Sequence, residues 1–394
     1  MRRALIAQQL ELALRGSLDA PALRLIELKG ERPATDERRE PWIPIKYGPA
    51  SPDDWFGVVP ATARFERTGG GAVETLDLVV KVNPQLGVGR TLIPWIIEHK
   101  HIALDRPYWE YRSASELNQT GAREGRLYAL AHGTPALRRV LPRCYGGGAD
   151  PTTGEDALFI EFLPDLSGLD ADGATADWPP VAIDEALQAA AGWHAAFWGI
   201  DSARIAWAGP RLGTPDMVAD VPLWRGLLDD ARRRFPELVT EQIWRRRHRL
   251  IDTLADWHAV KDRLPSTLAH DDFNQRNVGF RSQATTRDIV VLDWELVECN
   301  TAQRDLVEML TFALLPIADR PRVDRHVEAH RLALIAAGAS TDVDRDSWIE
   351  GFRCELKIEA INRIALQLLF AAQFPMAYVA RINATIERLL DLYE

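Results

Sequence analysis

Cysteine is scarce in this chain. Cys144, Cys299 and Cys354 are the only three, far apart and without C-x-x-C spacing, so neither a disulfide framework nor a thiolate zinc site organises the sequence. Long apolar runs are missing too. No stretch reaches 18 apolar residues, and Ala4 to Leu14 is interrupted by Gln8, Gln9 and Glu11. That pattern predicts an amphipathic helix rather than a secretory or membrane-spanning segment, and a cytoplasmic protein that does not engage a membrane. Positive charge is in deficit: 47 basic against 57 acidic residues give a net charge of −10. Non-specific nucleic-acid binding, which needs basic patches, is disfavoured. The thirteen tryptophans lack interleaved basic residues, and the one basic run, Arg245 to Arg249, splays over several faces of a helix. Glycine-rich phosphate loops are also lacking. Gly87-Val88-Gly89-Arg90 is not followed by Lys-Ser/Thr, and no Gly-x-Gly-x-x-Gly lies between the first strands.

Apolar residues at 46% and charged residues at 26% suit a globular chain. At 394 residues it holds two ordinary domains or one domain of two lobes. The first third reads as strands separated by turns. Trp42 to Tyr47 is a possible edge strand, because Pro44 cannot donate to a central ladder. Gly57 to Glu66 and Glu74 to Val82 are joined through Thr68 to Gly71, a hairpin turn. Along the second of these, Leu76, Leu78 and Val80 alternate with Asp77, Val79 and Lys81, which sets Lys81 on the face opposite the leucines. Residues 83–117 read as an insertion with some helix. A helix covers roughly 121–132, and strands lie near Arg143–Gly146 and Ala157–Leu163. Beyond the Gly-, Asp- and Pro-rich stretch 165–180 the chain is helical, at 184–199, 221–235, 240–263, 303–315, 322–338 and 346–391, the last broken near Pro375. Ile289 to Leu292 is a buried strand inside that region. The division is a β-rich lobe, 1–163, and a helical lobe, 164–394.

The most informative segment is Leu268-Ala269-His270-Asp271-Asp272-Phe273-Asn274-Gln275-Arg276-Asn277, containing H-x-D-x-x-x-x-N. Sixteen residues later, directly after the apolar run, comes Asp293-Trp294-Glu295. Asp and Asn abound in solvated turns, so the motif alone is weak; its placement between a helical run and an apolar strand ending in Asp carries the weight. Phosphoryl transfer needs a carboxylate at the nucleophile, then an amide and a second carboxylate for Mg²⁺, which prefers hard oxygen ligands.

These residues resemble the catalytic region of the aminoglycoside phosphotransferase and protein-kinase-like superfamily, where His-Gly-Asp is usual and Asn follows five residues after the Asp. The resemblance implies an α+β fold, with a small β-rich N-terminal lobe and a large helical C-terminal lobe. It implies an ATP- and Mg²⁺-dependent kinase with Asp272 as the catalytic carboxylate and Asn277 and Asp293 as metal ligands. Lys81, ending Leu78-Val79-Val80-Lys81, resembles the third-strand lysine on the α- and β-phosphates. Its acidic partner is Glu124 in Arg123-Glu124-Gly125-Arg126-Leu127-Tyr128, with Glu110 as a rival. Glu161, Phe162 and Leu163 resemble the hinge whose backbone meets adenine. Asp305 matches an Asp that opens a core helix and supports the catalytic loop, although an ordinary helix cap would look the same. Asp271 stands where Gly is usual; a carboxylate there either raises its neighbour's pKa or points to solvent. Tyr47 to Ser51 is the candidate loop over the phosphates. His194, in an apolar helix stripe, reads as a core histidine satisfied by a backbone group. The acceptor is a hydroxyl of a small molecule such as an antibiotic, sugar, cyclitol or amino alcohol. Alternatives are a Ser/Thr peptide kinase and a nucleotide-binding pseudokinase scaffold.

Overall fold

The computed structural model describes residues 1–30, 54–68, 71–86, 89–117, 120–170, 178–282, 287–340 and 343–394. The expected edge strand Trp42–Tyr47 and the loop Tyr47–Ser51 lie outside the described residues. The chain begins with helix α1 (Arg3–Ser17) and strands β1 (Arg24–Gly30), β2 (Gly57–Glu66) and β3 (Val73–Asn83). After β3 come helices α2 (Leu92–His99), α3 (Thr120–Ala131) and α4 (Pro135–Val140), then β4 (Cys144–Ala149) and β5 (Asp156–Glu161). The five strands form one antiparallel sheet in the order β1-β2-β3-β5-β4. Ile6, Leu10 and Leu14, one per turn of α1, are fully buried against Leu78, Val80, Val82 and Phe159 of the sheet. This amphipathic stripe is what the interrupted apolar pattern at the N-terminus encodes. Close approach of α1 to β4 depends on glycine. Gly146 sits at φ +138°, where a Cβ would lie 2.8 Å from that of Ala13. β1 escapes a reading by pattern because it is an edge strand with one buried side chain, Leu28. Strand periodicity shows only when a face is buried.

Within 83–117, read above as an insertion of the first lobe, residues 89–117 bury Leu92, Ile93, Ile96, Tyr108, Tyr111 and Leu117 in the core of the second. Asp220 clamps this segment by accepting from the N–H groups of Arg112 (2.9 Å) and Ser113 (2.7 Å). The second lobe follows a short strand β6 (Leu166–Ser167) and contains α5 (Pro180–Ala196), α6 (Thr214–Ala219), α7 (Val221–Arg234), α8 (Glu241–Asp252) and α9 (Leu254–Arg263). The single helix expected over 240–263 is therefore two. Thr253 ends the first, its Oγ1 donating to the Arg249 carbonyl at 2.8 Å. Strands β7 (Thr267–Ala269), β8 (Val278–Ser282), β9 (Arg287–Val291) and β10 (Glu298–Asn300) precede α10 (Gln303–Ala313), α11 (Arg320–Ala336) and α12 (Arg345–Ile358). A π-helical turn, Glu359–Arg363, joins α12 to α13 (Ile364–Ala371), and α14 (Val379–Tyr393) follows the break at Pro375. β7 pairs with β10, and β8 lies between β6 and β9. Residues 270–277 are consequently slung between β7 and β8, and Asp293 leaves the end of β9. Among the described residues no helix is long and apolar enough to cross a membrane.

Candidate active site

Lys81 comes off β3 on the face away from the fully buried Leu78 and Val80, as strand alternation requires. Its Nζ lies 2.6 Å from Glu124 Oε2 on α3 and 2.5 Å from Asp293 Oδ1. Glu110 is exposed on a separate turn. Burial alone would depress the Lys81 ammonium, but Asp293 and Glu124 outweigh it and hold its pKa well above the usual value. Read from the sequence, Lys81 adds little to the core. In the structure it is 8% exposed and faces a glutamate 1% exposed, so Lys81→Ala strands a buried carboxylate. That variant should lose nucleotide affinity and also roughly 3–5 kcal/mol of stability; calorimetric ATP titration together with thermal unfolding separates the two.

Segment 268–277 is held by its own side chains. His270 is fixed at both ring nitrogens: Nε2 donates to the Leu292 carbonyl (2.9 Å) and Nδ1 accepts from the Asp272 N–H (3.2 Å). The Leu292 N–H returns to the Asn277 carbonyl at 2.8 Å, which ties the loop to the segment carrying Asp293. Asp272 Oδ2 accepts from Asn277 Nδ2 at 2.7 Å, and the same amide donates to the Asp272 carbonyl at 2.9 Å. Asp272 Oδ1 accepts from Asn274 Nδ2 at 2.9 Å. Burial would raise the Asp272 carboxyl, but Arg276, Arg363 and His270 overcome that and keep it below the ordinary carboxylate value.

Asp271 takes neither course open to it in the sequence. It is 4% exposed, and its carboxylate pairs with Arg304 Nε (2.7 Å) and Arg363 Nη2 (3.1 Å). Its φ is +63°. This left-handed conformation explains why glycine suits the position, and why aspartate, among the side chains that tolerate that region, replaces it. Asp305 lies in the first turn of α10 and is not its cap, which is Ala302. Its carboxylate accepts instead from the N–H groups of His270 (2.9 Å) and Asp271 (3.0 Å). His194 is buried as expected, but its ring partners are side chains: Asp305 Oδ2 at 2.9 Å and His330 Nε2 at 3.2 Å.

At the end of β5 the Glu161 N–H donates to the Arg143 carbonyl (2.8 Å), and the Glu161 carboxylate accepts from Arg281 (2.9 Å). The chain leaves the sheet at Phe162, which is 38% exposed, and Leu163. Sequence reasoning passed over Arg304 and Arg363. Arg304 is buried among Asp271, Glu308 and Glu359 at 2.7, 2.6 and 2.6 Å. Arg304 follows two helix-start residues with no visible motif. Arg363 rides on the π-turn, a local rewinding that side-chain periodicity does not announce.

Mg²⁺ shared with nucleotide phosphates needs one or two protein oxygens. Among the described residues no group of three His, Cys, Asp or Glu forms a metal cage. The residues present fit the shared mode. Asn277 has committed its amide hydrogens to Asp272, leaving its carbonyl oxygen for a cation, and the Asp293 side chain is 43% exposed beside Lys81.

Solved structures to which the chain is similar include an ethanolamine kinase from Plasmodium vivax, with 10% identity, coverage of 96% of this chain and 85% of that one, and a TM-score of 0.43. A variant of aminoglycoside 2'-phosphotransferase-IIIa in complex with GDP has 14% identity, coverage of 98% and 96%, and a TM-score of 0.44. A microcompartment-associated aminopropanol kinase has 14% identity, coverage of 84% and 90%, and a TM-score of 0.39. No curated protein matches the chain. The model of the APH phosphotransferase enzyme family matches residues 63–342, a span running from β2 past the far end of α11 and containing Lys81, Glu124, segment 268–277 and Asp293. With most of its length inside that match, the chain belongs to the APH phosphotransferase family and is a phosphotransferase enzyme.

Proposed function

We propose that this enzyme transfers the γ-phosphoryl group of ATP to a hydroxyl of a small molecule. The observation that carries the reading is the placement of Lys81 between Glu124 and Asp293, at 2.6 and 2.5 Å, beside an Asp272–Asn277 pair. Residues from β3, α3, the loop after β7 and the end of β9 thus converge on one set of phosphate-handling groups. In this reading Lys81 binds the α- and β-phosphates, and the backbone of Glu161 to Leu163 borders the adenine. The β-rich lobe, 1–163, supplies the nucleotide contacts, and 164–394 supplies the acceptor side. Asn277 and Asp293 hold Mg²⁺, which neutralises phosphate charge when bound. Asp272 orients the acceptor hydroxyl. The acceptor oxygen bonds to the γ-phosphorus as the bond from that phosphorus to the β,γ-bridging oxygen breaks, ADP departs, and the hydroxyl proton passes to Asp272.

A small acceptor is favoured over a peptide by the Asp220-clamped segment 89–117. It brings Glu116 down to Asp271 and Arg363, where the three line a cavity of about 20 Å³, room for a single water. Side chains from segment 89–117 and from the helical lobe close that flank of the catalytic loop. Retention of lysine, both carboxylates and the amide argues for turnover and against a scaffold.

Two measurements test the proposal. ATP affinity by calorimetry should fall by roughly tenfold or more when EDTA replaces Mg²⁺; equal affinity in both buffers would remove Asn277 and Asp293 from the metal site. Screening small alcohols, aminoglycosides and Ser/Thr peptides for ADP release with Mg²⁺-ATP should return a small-molecule acceptor. A peptide as the sole acceptor would favour the second reading.

A further inference from the structure

The Asp272 carboxylate is fully occupied by protein donors. Oδ1 accepts from Asn274 Nδ2 (2.9 Å) and Arg276 Nη2 (3.0 Å), and Oδ2 from Asn277 Nδ2 (2.7 Å) and the same Arg276 nitrogen (3.3 Å). A carboxylate offers about four lone-pair positions, so no acceptor hydroxyl can hydrogen-bond to Asp272 until one donor leaves. The three donor residues differ in how easily they let go. Asn274 Nδ2 is also bound to Glu308 (3.1 Å), and Asn277 Nδ2 also to the Asp272 carbonyl. Each has a fixed amide geometry. Arg276 Nη2 makes the divided contact, with the longest distance of the four.

The guanidinium also has somewhere to stay after letting go. Its carbon lies 5.2 Å from the Phe312 ring centre and 5.1 Å from that of Tyr378. Nε donates to Asn274 Oδ1 (3.2 Å) and Nη1 to the Tyr378 hydroxyl (3.3 Å). Aromatic faces on a planar cation and two further acceptors make a resting slot, so displacement from Asp272 is a small swing rather than an ejection.

We infer that Arg276 is a gating residue: it caps Asp272 while no acceptor is bound, and it yields to an acceptor that brings several contacts of its own, but poorly to a lone water. The cap therefore suppresses wasteful hydrolysis of ATP, in which water oxygen would bond to the γ-phosphorus, ADP would leave with the bridging oxygen, and Asp272 would take the proton. This rests on the assignment of Asp272 made above.

The test needs no knowledge of the acceptor. Mg²⁺-dependent ATP hydrolysis is measured without acceptor in the full-length protein and in Arg276→Ala, Arg276→Gln and Arg276→Lys. A charge-assisted hydrogen bond lost from the carboxylate predicts a rise of roughly tenfold or more in the Ala and Gln variants, with ATP affinity unchanged. Lys, which returns a cation without the planar fork, should fall between wild type and Ala. Guanidinium chloride, well below denaturing concentrations, should refill the slot in Arg276→Ala and lower its hydrolysis again. A residue that merely braced the loop would lower the rate when removed. Unchanged or reduced hydrolysis in the variants, with ATP still bound, overturns the gate and makes Arg276 a structural or rate-promoting group. Should Arg276→Ala fail to fold, as judged by thermal unfolding, Arg276→Gln decides alone. Absence of ATP binding in the wild-type protein would overturn the phosphotransfer chemistry at this site and the gate with it, an outcome distinct from the others.

Discussion

Asp272→Asn is expected to lower transfer to the true acceptor by roughly 10²–10⁴-fold, the usual contribution of a positioned proton acceptor. The substitution keeps the shape of the side chain and removes its charge. ATP affinity should change little, because Asn277, Asp293 and Lys81 remain. The loop constrains how the result is read. Four donor contacts converge on the Asp272 carboxylate, and an asparagine amide can satisfy those on one oxygen only. A modest loss of stability accompanies the catalytic loss and should be measured by thermal unfolding. Asp271 cannot stand in for its neighbour, since its carboxylate is turned to Arg304 and Arg363 and is 4% exposed. Asp271→Asn is therefore expected to cost stability while a folded fraction still turns over. Near-normal turnover in Asp272→Asn beside a dead but folded Asp271→Asn would show that the proton acceptor is the other aspartate.

The second large effect is on stability. Arg304 is 2% exposed and faces three carboxylates, Asp271, Glu308 and Glu359, at 2.6–2.7 Å. Removing one partner of a buried ionic group leaves charge without compensation, a loss of about 3–5 kcal/mol. Arg304→Met keeps much of the volume and should destabilise by at least that amount in urea titration. The pH dependence has a definite sign. Burial first, then repulsion from Glu359, already pushes the Glu308 carboxyl up to about 8. A carboxyl whose folded pKa is raised favours folding while it holds its proton, and that contribution is lost as pH rises through the folded value. Without Arg304 the Glu308 carboxyl loses its nearest cation and is raised further, so the variant should be less impaired at about pH 6 than at about pH 8.5. A penalty independent of pH would mean that packing, not charge, is what Arg304 supplies.

Arg304 also shows why this cluster matters beyond stability. It holds Asp271, whose left-handed backbone aims Asp272, while Asp305 receives the N–H groups of His270 and Asp271. A buried ionic network behind the turn at 270–272 fixes one conformation. Arg363 adds a donor to the Asp271 carbonyl from the π-turn.

Much of this protein is written in local pattern. The α1 stripe, the β2–β3 hairpin, the face on which Lys81 stands and the helical second lobe all follow from periodicities of two and 3.6, which depend on near neighbours alone. The spacing from His270 through Asp272 and Asn277 to Asp293 is equally local, because one loop and one strand carry it. What tertiary structure decided involves partners distant in sequence or signals that cancel. Glu124 rather than Glu110 meets Lys81 because α3 docks on the sheet, whereas Glu110 stays exposed on its turn. Segment 89–117 packs into the second lobe because its apolar residues find a larger core there and because Asp220, more than a hundred residues away, accepts its backbone N–H groups. Arg276 looks like any solvated arginine in a polar loop until Phe312 and Tyr378 close around it. Asp271 could be told from a surface charge only when Arg304 and Arg363 arrived from two other helical elements. Charge compensation has no period along a chain, so the buried acid–base network became visible only when the fold had brought its members together.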